Sequence, residues 1–519
     1  MIVEDQASVI AFLASPETFG SEVDEVDRIE THISLVFLAG DRVFKLKRAV
    51  KFPYLDFSSA DLRREACENE VRVNRRTAPD IYLGVVAVTR SGSGRLALGG
   101  DGEPVDWLVE MKRFDQGGLF DRLAQDRALD PVTMERLAEA IAAFHRVAEV
   151  LPQSGGRALI DRVIGNNDTC FAEIGERVFA SGDVRDLKFR SLACSDRLAA
   201  LLDDRARDGR VRHCHGDLHL RNIVLIDGRP TLFDAIEFSR DLSEIDVLYD
   251  LAFLVMDLDH RQLRPLGNIA TNRYLDIMED TAGLSALPLF LSVRAAVRAH
   301  VSAATASSQS QAGKAETLVA EAQAYLKEAL DYLEPSAPAV LAVGGLSGSG
   351  KSRLARELAP MLGRAPGARI ARSDVLRKRL AGIAIDERLG PEGYTATMGR
   401  KTYDRMYREC ETAVKAGQWA VADAVFARPE QRKAIEDVAD ALGVPFYGLW
   451  LDAPESVLKT RVDTRVHDAS DADRGIVERQ MEYDLGAIAW DRIDSGRALA
   501  ETVQSAKAAM GFEGRSGDS

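Results

Sequence analysis

The chain has 519 residues, 46% hydrophobic and 29% charged, with a formal net charge of −14. That length exceeds one ordinary core and predicts about three to four compact units, while the acidic balance excludes nonspecific attraction to nucleic acid or to an anionic membrane surface. Five scattered cysteines without a CxxC pair exclude a disulfide framework and a cysteine-rich zinc site, and MIVEDQ shows no signal-peptide pattern, so a cytoplasmic protein is expected.

In chain order, a helix of about two to three turns is expected to open the chain, with Val9, Ile10, Phe12 and Leu13 on its apolar side, then strands over 28–50 in IETHISLVFLAGDRVFKLKR, where Gly40-Asp41 separates two apolar runs as a hairpin turn. The charged segment 61–76, DLRREACENEVRVNRR, reads as a helix, and IYLGVVAVT and LALGGDGEPVDWLVEMKRF supply further antiparallel strands. Residues 1 to about 115 thus form a small strand-rich lobe carrying one helix. Helical patterns dominate from about 116 to 333; the apolar run LYDLAFLVMDL is short, interrupted by Asp250, and reads as a buried helix with no membrane span. EPSAP at 334–338 has the composition of a linker. Strands and helices then alternate over 339–505, and a tail over 506–519 is expected to be disordered.

The stretch GLSGSGKS, 345–352, satisfies GxxxxGK[ST] between an apolar strand and a helix. Its backbone N–H groups, from Gly345 through Ser347, Gly348, Ser349 and Gly350, would cradle ATP phosphates at a helix N-terminus. Lys351 would meet the β- and γ-phosphates, and the Ser352 hydroxyl would ligate Mg²⁺. Asp374 and Asp423 each close an apolar strand. One can organise Mg²⁺ and the other orient or deprotonate an acceptor hydroxyl; Asp374 is taken as catalytic and Asp423 as the metal ligand, with the reverse left open. Arg461 and Arg465 share a helix face and suit a lid that screens phosphoryl charge. About 180 residues leave no room for the extra helical domain of a ring-forming ATPase. Residues 339 to about 500 resemble gluconate and shikimate kinase-like, zeta-toxin-like and polynucleotide 5′-kinases, which implies ATP use and leaves the acceptor open.

A second constellation lies earlier, in HGDLHLRN at 215–222 and FDAIEF at 233–238. Asp217, Asn222 and Asp234 fall at the spacings of a catalytic aspartate and two Mg²⁺ ligands in protein-kinase-like folds. Gly216 and His219 stand where the protein-kinase signature has arginine and lysine. In this the segment resembles the aminoglycoside phosphotransferase and choline-kinase-like family, whose substrates are small molecules. The resemblance implies Lys45 on the α- and β-phosphates, with Lys47 as the alternative. It also implies an ion-pair partner on the 61–76 helix: Glu68 is favoured, with Glu65 and Glu70 as alternatives. His145 and Asp250 take structural roles in it. The family's glycine-rich loop is absent, and ETHIS at 30–34 leaves Thr31 or Ser34 to help the backbone hold phosphate.

The expected fold is an α+β protein-kinase-like bilobal domain followed by an α/β P-loop domain with a mostly parallel sheet. This pairing resembles bacterial proteins that join an aminoglycoside-phosphotransferase-like domain to a P-loop domain. The expected activity is ATP- and Mg²⁺-dependent transfer of the γ-phosphate to small-molecule hydroxyls at two sites, with neither nucleic acid nor membrane as partner. The alternative is a nucleotide-sensing or scaffold N-terminal domain beside one P-loop kinase, acting on nucleic-acid 5′ ends or a nucleotide sugar.

Overall fold

The computed structural model describes residues 4–512 except 32, 53–54, 152–154, 310 and 464–469. The chain forms two compact units, Met1–Gly165 with Ser195–Asp257, and Asn166–Cys194 with Leu258–Ser519.

The first unit is built on a six-stranded antiparallel sheet. Its strands are β1 (Val26–Glu30), β2 (Ser34–Ala39) and β3 (Arg42–Lys47), then, after the short pair β4 (Lys51–Phe52) and β5 (Leu55–Asp56), β6 (Tyr82–Arg90), β7 (Leu96–Leu98) and β8 (Glu103–Lys112). The spatial order is β1-β2-β3-β8-β6-β7. Period-two alternation splits this sheet between two cores. Leu35, Phe37, Phe44 and Leu46 face Val9 and Leu13 of the opening helix, while Leu38, Val43 and Val109 face Cys67 and Val71 of the helix Ala60–Asn74. Ser59 caps that helix by accepting the Leu62 amide at 3.3 Å. Further on, β9 (Val211–His213) pairs with β12 (Glu244–Asp246), and β10 (Ile223–Ile226) with β11 (Arg229–Leu232). The helix Val247–His260 follows; among the described residues no helix is long and apolar enough to cross a membrane.

The second unit holds a five-stranded parallel sheet of β13 (Val340–Gly345), β14 (Arg369–Arg372), β15 (Ala420–Asp423), β16 (Phe446–Asp452) and β17 (Asp491–Asp494), in the order β14-β15-β13-β16-β17. Continuous apolar runs such as Leu341–Val343 suit strands buried on both faces. The edge strand β14 is not left open. Asn268 and Asn272 of the helix Arg264–Met278 donate to the Ala368 carbonyl at 3.0 and 3.1 Å, and Asn272 Oδ1 accepts the Ile370 amide at 2.8 Å. Two side chains thereby satisfy ladder groups that a neighbouring strand would otherwise take. Arg369, fully buried in β14, is neutralised by Asp276 of the same helix at 2.6 Å and by Glu409 at 3.5 Å.

The expected disordered tail needs correction at its start. The helix Leu499–Ala509 includes Ala506, and Ala506 and Met510 bury into the core around β13 because they share one helix face. Residues 513–519 lie outside the described residues.

Removing the Asn272 carboxamide strands the Ile370 amide and weakens the hold on Arg369. Asn272→Ala is expected to lower stability by about 1–3 kcal/mol, read as a drop in the urea midpoint of the transition that reports β14.

Candidate active sites

Lys45 and Lys47 stand two residues apart on β3, so their side chains leave the face that Val43 packs against the helix Ala60–Asn74. Lys45 Nζ lies 2.8 Å from Glu70 Oε1 and 2.8 Å from Asp234 Oδ1. Lys47 is fully buried, between the other Glu70 oxygen and Glu237. The favoured partner Glu68 is therefore corrected to Glu70. Glu68 is on the outer face, paired with Arg64, out of phase with the buried series Arg63, Cys67, Glu70 and Asn74. Burial opposes ionisation of Glu70, but the ammonium groups of Lys45 and Lys47 outweigh it and hold the carboxyl down to about 2. Burial likewise opposes the charge on Lys45, yet Asp234 and Glu70 keep its pKa well above the ordinary value.

The segment carrying Asp234 hangs from the same helix. Asn74 Oδ1 accepts the Ala235 amide at 2.7 Å, Asn69 donates to the Glu237 carbonyl, and the Tyr82 hydroxyl oxygen accepts the Asp234 amide at 3.1 Å. Asp234 itself adopts φ +59, a left-handed conformation that Asp tolerates better than most residues.

The HGDLHLRN loop is held from behind by Asp250, whose two oxygens accept the His215 and Gly216 amides at 3.0 and 2.9 Å and which meets His145 Nε2 at 3.1 Å. Gly216 is required there: its φ is +85, and a Cβ would stand 2.8 Å from the Leu242 carbonyl oxygen. Asp257 accepts the Leu220 amide at 3.0 Å. The His215 Nδ1 accepts the Asp217 amide and Nε2 donates to the Phe233 carbonyl, an arrangement that uses the neutral ring, and burial lowers its pKa. Asn222 Nδ2 donates to Asp217 Oδ2 at 2.8 Å, joining two expected site residues, and His219 Nε2 lies 3.3 Å from the same oxygen. The His219 Nδ1 accepts the Arg221 amide, which leaves the Nε2 proton directed at Asp217. Thr31 closes its own turn by donating to the Ser34 carbonyl at 2.9 Å, and Ser34 is buried.

In the second unit, Gly345 ends β13, and Ser347, Gly348, Ser349 and Gly350 lie in the loop between it and the helix Lys351–Leu358. A Cβ on Gly348 would stand 2.5 Å from the Leu458 carbonyl oxygen, so the helix Glu455–Asp463 can approach only a glycine there. Arg461 of that helix reaches the loop, its Nη1 3.8 Å from where a Gly350 Cβ would stand. Arg465 lies outside the described residues. Lys351 Nζ donates to the Leu346 carbonyl at 2.9 Å, and the buried Ser349 hydroxyl has no hydrogen-bond partner among the described residues. Asp374 follows β14 and Asp423 ends β15, side by side at the carboxyl edge of the sheet. Burial pushes the Asp423 carboxyl up; Arg372 at 3.4 Å, Lys351 and a Ser352 hydrogen bond pull the other way, and Asp374 adds to the rise.

Sequence reasoning did not single out His219 as a support for Asp217, nor Asn74 and Tyr82 as supports for the Asp234 segment. For His219 the signal was local, two residues from Asp217. Asn74 and Tyr82 are separated from Asp234 by more than 150 positions, and nothing in the sequence joins them.

Residues 42–287 match the family model described as the phosphotransferase enzyme family, and residues 340–483 match one described as an AAA domain. The chain thus joins an aminoglycoside-phosphotransferase-like domain of protein-kinase-like fold to a P-loop domain of kinase type. It is 28% identical over 493 residues to the uncharacterized protein Rv2004c of Mycobacterium tuberculosis, covering 93% of this chain and 94% of that one. Among solved structures, a choline/ethanolamine kinase family protein from Mesorhizobium loti aligns with a TM-score of 0.39 at 14% identity, over 63% of this chain and 98% of that one. A gluconokinase from Sinorhizobium meliloti aligns with a TM-score of 0.26 at 21% identity, over 34% of this chain and 93% of that one.

The lowered Glu70 pKa has a defined pH signature. Below the ordinary value of 4.5 and down to about 2, the unfolded chain binds a proton that the folded chain refuses, so stability falls as pH falls through that window. Glu70→Gln is expected to cost about 1–3 kcal/mol at neutral pH by leaving Lys45 with Asp234 alone and Lys47 with Glu237 alone. Its thermal midpoint should also fall less steeply than wild type below pH 4.5; an unchanged slope would show that Glu70 is not the titrating group.

Proposed function

Starting from a chain that joins these two kinase-type domains, we propose that the protein is an ATP- and Mg²⁺-dependent phosphotransferase with two sites, each passing the γ-phosphoryl group to a hydroxyl of a small molecule. The observation that carries this reading is the gathering of Lys45, Glu70 and Asp234 from a strand, a helix and a distant loop, with Lys45 Nζ at 2.8 Å from both carboxylates. A lysine held there can exchange Asp234 for phosphate oxygens without losing Glu70. Asp217, oriented by Asn222 and His219, accepts the proton of the acceptor hydroxyl as the O–P bond forms.

At the second site the orphaned Ser349 hydroxyl and the ring of loop backbone suit an anionic phosphate ligand. Lys351 and Arg461 supply the balancing positive charge, and Asp374 orients the acceptor. Mg²⁺, when bound, neutralises charge on the phosphate oxygens; Asn222 and Asp234 would hold it in the first site, and Ser352 and Asp423 in the second.

One observation favours a second reading, in which the N-terminal domain senses nucleotide and only the P-loop domain transfers phosphate. The hydroxyl of Thr31 is committed to its own turn, so phosphate there depends on backbone and Lys45. ATP consumption across fractions of a metabolite extract separates the two. Two-site activity predicts that some fraction stimulates wild type and Lys351→Ala but not Asp217→Ala, with a loss of about 10²–10⁴-fold, while another shows the reverse. If no fraction depends on Asp217 while nucleotide still binds that domain, the sensor reading replaces it.

A further inference from the structure

The segment 471–480 touches the P-loop domain at two functionally separate places. At one end the Asp471 carboxylate gathers three donors: Lys378 Nζ at 3.2 Å, the Leu389 amide at 3.0 Å and the Tyr394 hydroxyl at 3.1 Å. Lys378 belongs to the helix Ser373–Ala381 that carries Asp374, and Leu389 and Tyr394 belong to the loop leaving it. Arg377 ties the loop back to this helix, stacked 5.2 Å over the Tyr394 ring and donating to the Gly393 carbonyl at 3.2 Å. The loop is therefore a wall beside Asp374; with burial, the charges of Asp471 and Asp374 both raise the Tyr394 phenol.

At the other end, Gln480 is 8% exposed and its Oε1 accepts the Ser347 amide of the phosphate loop at 2.8 Å. The helix Arg474–Met481 between these ends is pinned to the helix Glu455–Asp463 by Lys459–Glu478 at 2.7 Å and by Arg474–Asp463. Displacing either end therefore acts on one short helix and the residues that lead into it.

We infer that Asp471 and Gln480 are positioning residues that couple the acceptor-side wall at 382–394 to the grip of the phosphate loop. The inference rests on reading that loop as a nucleotide site. A ligand that takes the Ser347 N–H must displace the Gln480 oxygen, and an acceptor that shifts the wall pulls on Asp471. Both events move one segment, so each ligand's affinity responds to the other by the same factor.

Hydrogen–deuterium exchange on the full chain tests this, with AMP-PNP and Mg²⁺ as the nucleotide probe. In wild type, protection of the 345–352 peptide should saturate with AMP-PNP. Asp471→Asn should speed exchange over 384–394 and shift the midpoint of phosphate-loop protection by about five-fold or more. Tyr394→Phe, which removes one donor and keeps Lys378 paired, should shift it in the same direction by less. Without nucleotide, Gln480→Leu should speed exchange over 384–394, which packs at the other end of the segment. A loosened 384–394 peptide with a midpoint within about two-fold of wild type in Asp471→Asn would reduce Asp471 to a local staple and overturn the coupling. No protection of 345–352 in wild type would instead overturn the nucleotide reading, and the nucleotide-free Gln480→Leu result would then decide the coupling alone.

Discussion

Two lysines on one strand, Lys47 fully buried and Lys45 mostly so, need a common counter-ion, and the first domain is arranged around that need. Taking an ammonium group out of water costs several kcal/mol unless it is paired at close range. Glu70 pairs with both Lys45 and Lys47, which fixes the rotation of the helix Ala60–Asn74 against β3. Asp234 and Glu237 then take the remaining sides of the two ammonium groups, so the loop between them is drawn onto the same helix. Sheet, helix and the loop bearing Asp234 form one electrostatic unit. In protein kinases the equivalent helix swings to switch activity; here Asn69 and Asn74 bond it directly to that loop, and such a swing would break those contacts together with the ion pairs.

The second domain applies the same rule at strand ends. Arg369 and Arg372 flank the residues of β14, one turned toward Asp276 and Glu409, the other toward Asp423. Each guanidinium holds a carboxylate in place, and the strand between them delivers Asp374 to the edge of the sheet where the phosphate loop opens. Structural and chemical charges are thus separated by only a few residues of backbone.

The parts legible in the sequence are those whose residues lie close together in the chain. GLSGSGKS and HGDLHLRN carry their own geometry, because a phosphate loop or a catalytic loop is made by consecutive residues, and the strand-then-helix order around the first was readable from periodicity, as were the short strands after the second. Glu70 was partly legible: its phase with Cys67 and Val71 put it on the buried face, and weighing that phase would have preferred it to Glu68. Gln480 and Asp471 were not, since a neutral amide and one acid among many in DASDAD give no signal until the fold brings them to Ser347 and Lys378. The last turn of the closing helix, 506–509, was missed because its polar surroundings hid the Ala506 and Met510 stripe.

The asparagines that line the edge of β14 bear on how such a chain is inherited. Asn268 and Asn272 precede the proline-rich joint at 334–338, yet they complete a sheet that follows it. A gene that lost its first half would encode a sheet with a bare edge and an Arg369 left to Glu409 alone, so the halves are bound to each other by folding as well as by the peptide chain. Modularity of sequence is here not modularity of assembly.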